Sequence, residues 1–473
     1  MLPPEMRYAW MPLGLLLSCS STPDDLLPPP QAQLFVGQEL DNWAVPPPAT
    51  HVKIELVQSA DGSRSTLTEG AAPAPNVVTA TATPTTILLP EQHYTGFIVA
   101  SFEVTATDAM GEPVIRGSTV PFQLDAIQQA VSVPIFVGRL GTWSRPPDLL
   151  EHPHLHPLVG VTLHEFVIAA GGDPVAGANT AVPDIYDGAA WLTLLGQPPL
   201  PRAPKSMVLV GSALLAVDDD GATWVNLSND QTNVVTTLPD KLTSFSEIAG
   251  GDTITLPDGT RYIIGGTRPT GDPTDKVLRI DSQAAFRVIT LGTPRLGAAA
   301  TMIGTTIVVA GGTAAGPMAE VLTADELGFT PLSLPADPTA GLGLAPLDAT
   351  TAVAAGGKDP GTGTAASVRT FDISCTASCA TTDVATLPLA LTRTKAFVVG
   401  PDKILATGES DDGENHAYLI DKSVSPSMVT EKPLREPRKG ATPFSLPSGQ
   451  AALLGGQRVD TGATAATIEA FIP

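Results

Sequence analysis

From about Leu34 to Leu140 the chain reads as short β-strands, some with apolar and polar residues alternating with a period of two. His51-Val52-Lys53-Ile54-Glu55-Leu56-Val57 shows the pattern most cleanly, and it is that of a half-buried strand. Thr95 to Thr107 predicts a longer strand, Asp108-Ala109-Met110-Gly111 a turn, and Val114 to Leu124 and Ala130 to Leu140 two more strands. Paired strands over about 100 residues, with no helical period, predict a β-sandwich. From residue 141 the pattern changes. Short apolar runs now end in glycine doublets at Gly171-Gly172, Gly265-Gly266, Gly311-Gly312, Gly356-Gly357 and Gly455-Gly456. The first glycines are 94, 46, 45 and 99 residues apart, one or two periods of about 46, so two doublets should be altered in phase. Leu214-Leu215-Ala216-Val217-Asp218 has lost its doublet, and Ile404-Leu405-Ala406-Thr407-Gly408 keeps one glycine. Gly250-Gly251 is out of phase and reads as a loop. Seven units result.

Each unit carries further marks. Pro201-Arg202, Pro294-Arg295, Thr392-Arg393 and Pro437-Arg438 precede their doublets or doublet equivalents. Downstream stand Tyr186-Asp187, Ile280-Asp281, Phe371-Asp372 and Ile420-Asp421, with an aromatic residue following at Trp191 and Phe286. Arg, then Gly-Gly, then Tyr-Asp and Trp resembles the kelch repeat, a four-stranded propeller blade. The fifth unit lacks the Arg. Such a blade cannot bury both faces alone, so blades stack around a ring and share their core. The resemblance implies an all-β chain: a seven-bladed kelch-like β-propeller over 141–473. The last unit supplies only a third strand at Ile468-Glu469-Ala470-Phe471-Ile472-Pro473, and Gly141-Thr142-Trp143-Ser144 resembles the fourth that would lock the ring. The segment Phe102 to Gly111 resembles part of a bacterial Ig-like domain, which makes 34–140 an Ig-like β-sandwich and a spacer.

Composition narrows the class. The chain is 43% hydrophobic and 16% charged, with 44 Gly and 46 Pro, which excludes both a mainly disordered and a mainly helical protein. A net charge of −22 argues against a nucleic-acid partner. At the N-terminus, Arg7 and the apolar run Tyr8 to Leu17 have the form of an export signal, too short to span a bilayer. Leu16-Leu17-Ser18-Cys19 resembles a bacterial lipobox, which implies cleavage after residue 18, acylation of Cys19 and anchoring to a membrane. Residues 20–33, with the triplet Pro28-Pro29-Pro30, form a Pro-rich tether. An exported, lipid-anchored monomer is expected, on the outer membrane (Ser20 rather than Asp follows the Cys). Acylation of Cys19 leaves Cys375 and Cys379, four residues apart in one hairpin, as a disulfide in an oxidising compartment.

Candidate chemistry is sparse. His152, His154 and His156 alternate, with His164 and Glu165 beyond; one face of a strand could offer them to a metal, yet a proline-interrupted loop of solvated histidines is favoured, and neither metal nor cofactor is expected. Asp218-Asp219-Asp220-Gly221-Ala222-Thr223-Trp224 looks like a sialidase Asp-box, but it falls on the turn between second and third strands. That loop and Glu409-Ser410-Asp411-Asp412-Gly413-Glu414 could bind calcium, and both read better as hairpin turns. Arg202, Arg295, Arg393 and Arg438 could ring a central channel and attract an acidic ligand, although repeat-register arginines more often brace blades through backbone carbonyls. Kelch-type copper oxidases need a crosslinked Cys and Tyr ligands that this chain lacks. These readings favour a non-catalytic binding or scaffold lipoprotein whose propeller loops take a protein or polysaccharide. The alternative is a kelch-type sugar mutarotase or glycan-active enzyme of the cell envelope.

Overall fold

The computed structural model describes residues 31–473 except 36–38, 40–42, 73–84, 89–97, 120, 124–131, 147–149, 151, 153, 162–165, 174–181, 188–191, 195–199, 201, 212, 227–230, 267, 314–315, 323–327, 360, 362, 365, 378 and 447–448. Cys19, the signal segment, and His164 and Glu165 therefore lie outside the described residues. The chain is all-β and divides into two compact units, the first running essentially to Val137 and the second from Gly138 to Pro473 together with Gly37–Glu39.

In the first unit, His51–Gln58 lies between Arg64–Ala71 and Val99–Thr107, antiparallel to both. Val52, Ile54 and Leu56 are buried on one face, as the period of two requires, and they pack with Phe102, Val104 and Ala106 from the neighbouring strand. The hydrogen-bonded order continues through Pro113–Ser118 and Ser132–Arg139 to Gln31–Phe35 and Thr85–Leu88, while Phe122–Gln123 pairs with Val99–Thr107 off that path.

The second unit contains seven four-stranded antiparallel sheets among its described residues. The first runs from Leu158 to Leu194, and the next five begin at Ser206, Asp252, Ala299, Gly343 and Thr392. The seventh combines Thr442–Ser445, Ala451–Leu454 and Ile468–Ile472 with an outer strand from far back in the chain, Thr142–Ser144. The innermost strands of successive sheets lie side by side. Leu158–Val161 sits beside both Ser206–Val210 and Thr442–Ser445, which makes the order cyclic. This arrangement is consistent with a β-propeller.

The sheets hold together by sharing their faces. Leu215 and Val217 of the second sheet pack with Ile263, Leu278 and Ile280 of the third. Tyr262, Ile264 and Val277 of the third likewise pack with Ile307, Val309 and Leu322 of the fourth. Second strands are apolar almost throughout because both of their faces are covered. The glycine doublets end these strands for a steric reason. A Cβ on Gly312, whose φ is +72°, would lie 2.3 Å from the Leu296 carbonyl oxygen.

Candidate functional site

The innermost strands of all seven sheets surround a cavity of 660 Å³. Its mouth is set by a backbone rule that repeats around the unit. Two residues before the innermost strand begins to pair with the second, the chain turns through the left-handed region. Gly250, Gly297, Gly341 and Gly440 occupy this place with φ between 58° and 79°. In the first sheet the place is held by His156, φ 51°, and in the sixth, counted back from Lys395 across a bulge, by Arg393, φ 48°. Side chains rarely adopt this conformation, and where they do the surroundings impose it, often at functional positions.

The sixth sheet departs from the rule a second time. Thr407 pairs where Ala310 and Leu454 pair in their sheets, so Gly408 stands for the first doublet glycine and Glu409 for the second. The innermost strand bulges between Thr392 and Lys395, next to Glu409. Three residues that replace repeat glycines thus converge. His156 Nε2 lies 2.8 Å from Glu409 Oε1, and Arg393 Nε 3.8 Å from Glu409 Oε2. All three line the cavity. On its other side the imidazole places Nδ1 2.6 Å from Asp173 Oδ2. Glycine makes the approach to Glu409 possible: a Cβ on Gly440 would sit 3.2 Å from His156 Nε2 and 2.2 Å from Leu155 Cδ1.

His156 Nε2 and Glu409 Oε1 are buried against each other, and Thr394 Oγ1 nearby is buried as well. Glu409 is only 6% exposed, whereas the Arg393 side chain is 58% exposed. Burial alone would push the His156 pKa down. Glu409 and Asp173 outweigh burial and the opposing charge of Arg393, and hold it above its ordinary value. A histidine raised on folding contributes stability that is complete below its unfolded value, about 6.5, and lost as pH rises through the folded value. The melting temperature of the native chain should therefore fall relative to His156→Gln between roughly pH 6 and 8. Parallel curves for the two proteins would contradict this coupling.

The remaining sequence candidates separate. His152 and His154 do not join His156. His152 Nδ1 bonds Asp184 Oδ1 at 2.8 Å, and His154, fully buried, has Nε2 3.6 Å from Asp184 Oδ2. Among the described residues no group of three His, Cys, Asp or Glu is placed to hold a metal. Arg295 and Arg438 are fully buried and face carbonyls and carboxylates. Arg295 ends the third sheet and reaches into the fourth, donating to the carbonyls of Gly311, Pro317 and Met318 and to Glu320. Arg438 does the same for Gly455, Thr467 and Glu469. Arg202 is half exposed and bonds Asp218, the acid in its sheet's first doublet position, at 2.6 Å. Grouping Arg393 with these three is corrected by the strand register: Arg295 and Arg438 stand two residues before the left-handed position, and Arg393 occupies it. The Asp218–Gly221 segment is a hairpin turn. Cys375 and Cys379 are joined, with Cα atoms 5.8 Å apart, between the third and fourth strands of the fifth sheet.

Sequence reasoning missed Asp173 altogether and saw Glu409 only as the edge of an acidic loop. The signal for Glu409 was its place in the doublet register.

No family model and no curated protein matches the chain. Many solved structures resemble it, among them the two that follow. One is the structure of YjhT, 8% identical, covering 68% of this chain and 95% of that one with a TM-score of 0.39. The other is a streptogramin B lyase, 10% identical, covering 69% and 97% with a TM-score of 0.44. Both are β-propeller proteins. The expectation of a non-catalytic binding and scaffold lipoprotein is corrected at this point, since propellers of this kind include an enzyme, the lyase. Neither likeness identifies what this chain acts on.

Proposed function

We propose that the second unit is an enzyme that moves protons on a sugar-type substrate at the cavity mouth, in the class of kelch-type mutarotases and glycan-active envelope enzymes. The observation that carries this reading is the approach of His156 Nε2 to Glu409 Oε1 at 2.8 Å on the wall of the cavity. Interconverting anomers requires one proton to leave the anomeric hydroxyl and one to reach the ring oxygen. An imidazole and a carboxylate side by side can take and return those protons. Arg393, exposed beside them, is placed to meet developing negative charge on the substrate. Anomer exchange followed by NMR on a panel of neutral and acidic aldoses tests the reading. The native protein should accelerate exchange of at least one sugar, and His156→Gln or Glu409→Gln should each lower that rate by about 10²–10⁴. Exchange no faster than in buffer across the panel would refute it.

The finer architecture belongs to the same proposal. We read the seven sheets as seven kelch-like blades of one ring, supported by the cyclic order of the innermost strands. The stretch 34–140 then serves as an Ig-like spacer. The lipobox at Cys19 and the tether behind it support export and membrane anchoring. Mass spectrometry of the mature N-terminal peptide tests this, and a mature chain retaining Ser18 would refute it.

A further inference from the structure

Asp173 follows a glycine doublet, and the residues after the other intact doublets are Thr267, Thr313, Lys358 and Gln457. Among the intact doublets only the first sheet's is followed by an acid, and only the first sheet places a histidine at the left-handed position opposite. The two backbones are locked together. Asp173 N–H donates to the Leu155 carbonyl at 2.8 Å, and His156 N–H donates to the Gly440 carbonyl at 2.6 Å. Gly172 allows the approach, because a Cβ there would meet the Leu155 and His156 carbonyl oxygens at 2.1 and 2.8 Å. The Asp173 backbone is therefore fixed beside the imidazole.

We infer that Asp173 is a positioning residue for His156: its carboxylate keeps one ring proton on Nδ1, so that the proton exchanged at the cavity is the one between Nε2 and Glu409 Oε1. A neutral imidazole carries one N–H and one acceptor nitrogen, and an ionised carboxylate only accepts. The nitrogen with an aligned carboxylate takes the proton, and here that nitrogen is Nδ1, at 2.6 Å. Nε2, 2.8 Å from Glu409 Oε1, is left as the nitrogen that takes a proton from the cavity side and returns it. When Nε2 is protonated the ring is cationic, and the same carboxylate stabilises that charge. The role rests on reading His156 as the proton carrier.

The test needs no substrate. In ¹⁵N-histidine NMR spectra of the full chain, with His156 signals assigned by their loss in His156→Gln, the neutral ring should carry its proton on Nδ1. Asp173→Ala should change the tautomer ratio about tenfold or more, as expected for the loss of one charge-assisted hydrogen bond. The Asp173 side chain is 55% exposed, so this variant keeps its fold, and an unchanged melting transition serves as the check. A native ring protonated on Nε2, or a ratio indifferent to Asp173→Ala, would overturn the assignment. A native tautomer on Nδ1 that responds to Asp173→Ala, in a protein that turns over no sugar, would sustain the role of Asp173 and refute only the enzymatic reading.

Discussion

Removal of residues 465–473 is expected to unfold the second unit rather than merely loosen it. Ile468–Ile472 is buried at every position and paired on both sides, to Ala452–Leu454 and to Thr142–Ser144. Ile468, Phe471 and Ile472 each withdraw a full side chain from water, worth about 1.5–3 kcal/mol apiece. Phe471 also meets Trp143 edge to face at 5.5 Å. Glu469, which burial pushes towards neutrality against the pull of Arg438, accepts the backbone N–H groups of Arg435 and Glu436. Their loss would leave Arg438 buried with one carboxylate fewer. Together these terms rival the whole stability of a typical domain, about 5–15 kcal/mol. Calorimetry should show the second unit's cooperative transition gone. A truncated chain that melts with the native one would show that the seventh sheet closes nothing.

Replacing Arg295 by Leu should cost about 3–5 kcal/mol, the penalty for stranding a buried charge. Glu320 is fully buried, and apart from Arg295 it is held only by the N–H groups of Gly292 and Thr293. Three backbone carbonyls would lose their donor in the same step. The melting temperature should drop on the order of 10 °C. Arg202→Leu, at the same repeat position in the second sheet, should cost less than about 1 kcal/mol, because Arg202 is half exposed to water. The double variant Arg295→Leu, Glu320→Leu should recover much of the loss, since it removes both charges together. Equal melting points for Arg295→Leu and Arg202→Leu would sink this account.

The sheets were legible because the doublets are steric requirements. Gly312 and Gly172 lie where a Cβ would strike a carbonyl oxygen, so the repeat survives in the sequence after most of its aromatic residues have gone. The strand Thr142–Ser144 was legible from the missing member of the last unit. The site was legible only in fragments. His156 stood out by its alternation with His152 and His154, a pattern that Asp184 takes apart by drawing those two to itself. Arg393 looked like a repeat arginine because it falls near the expected spacing; a two-residue displacement is invisible until strands pair. Glu409 and Asp173 are ordinary acids in one dimension. They acquire meaning only when the sixth and first sheets are brought beside the seventh, where Gly440 leaves room between them.

The seventh sheet also sets a schedule. The Trp143 indole donates to the carbonyl of Lys432, 289 residues later in the chain, at 3.0 Å. At a synthesis rate of about 5–20 residues per second, that partner follows Trp143 out of the ribosome by roughly 15 to 60 seconds. For all of that interval the nascent chain holds finished sheets beside an unclosed edge, the geometry that invites pairing with a neighbouring chain. Long-range pairing of this kind is also slow to form. The vulnerable period of this protein is therefore its own synthesis, and its length is set by translation speed rather than by how stable the finished unit becomes.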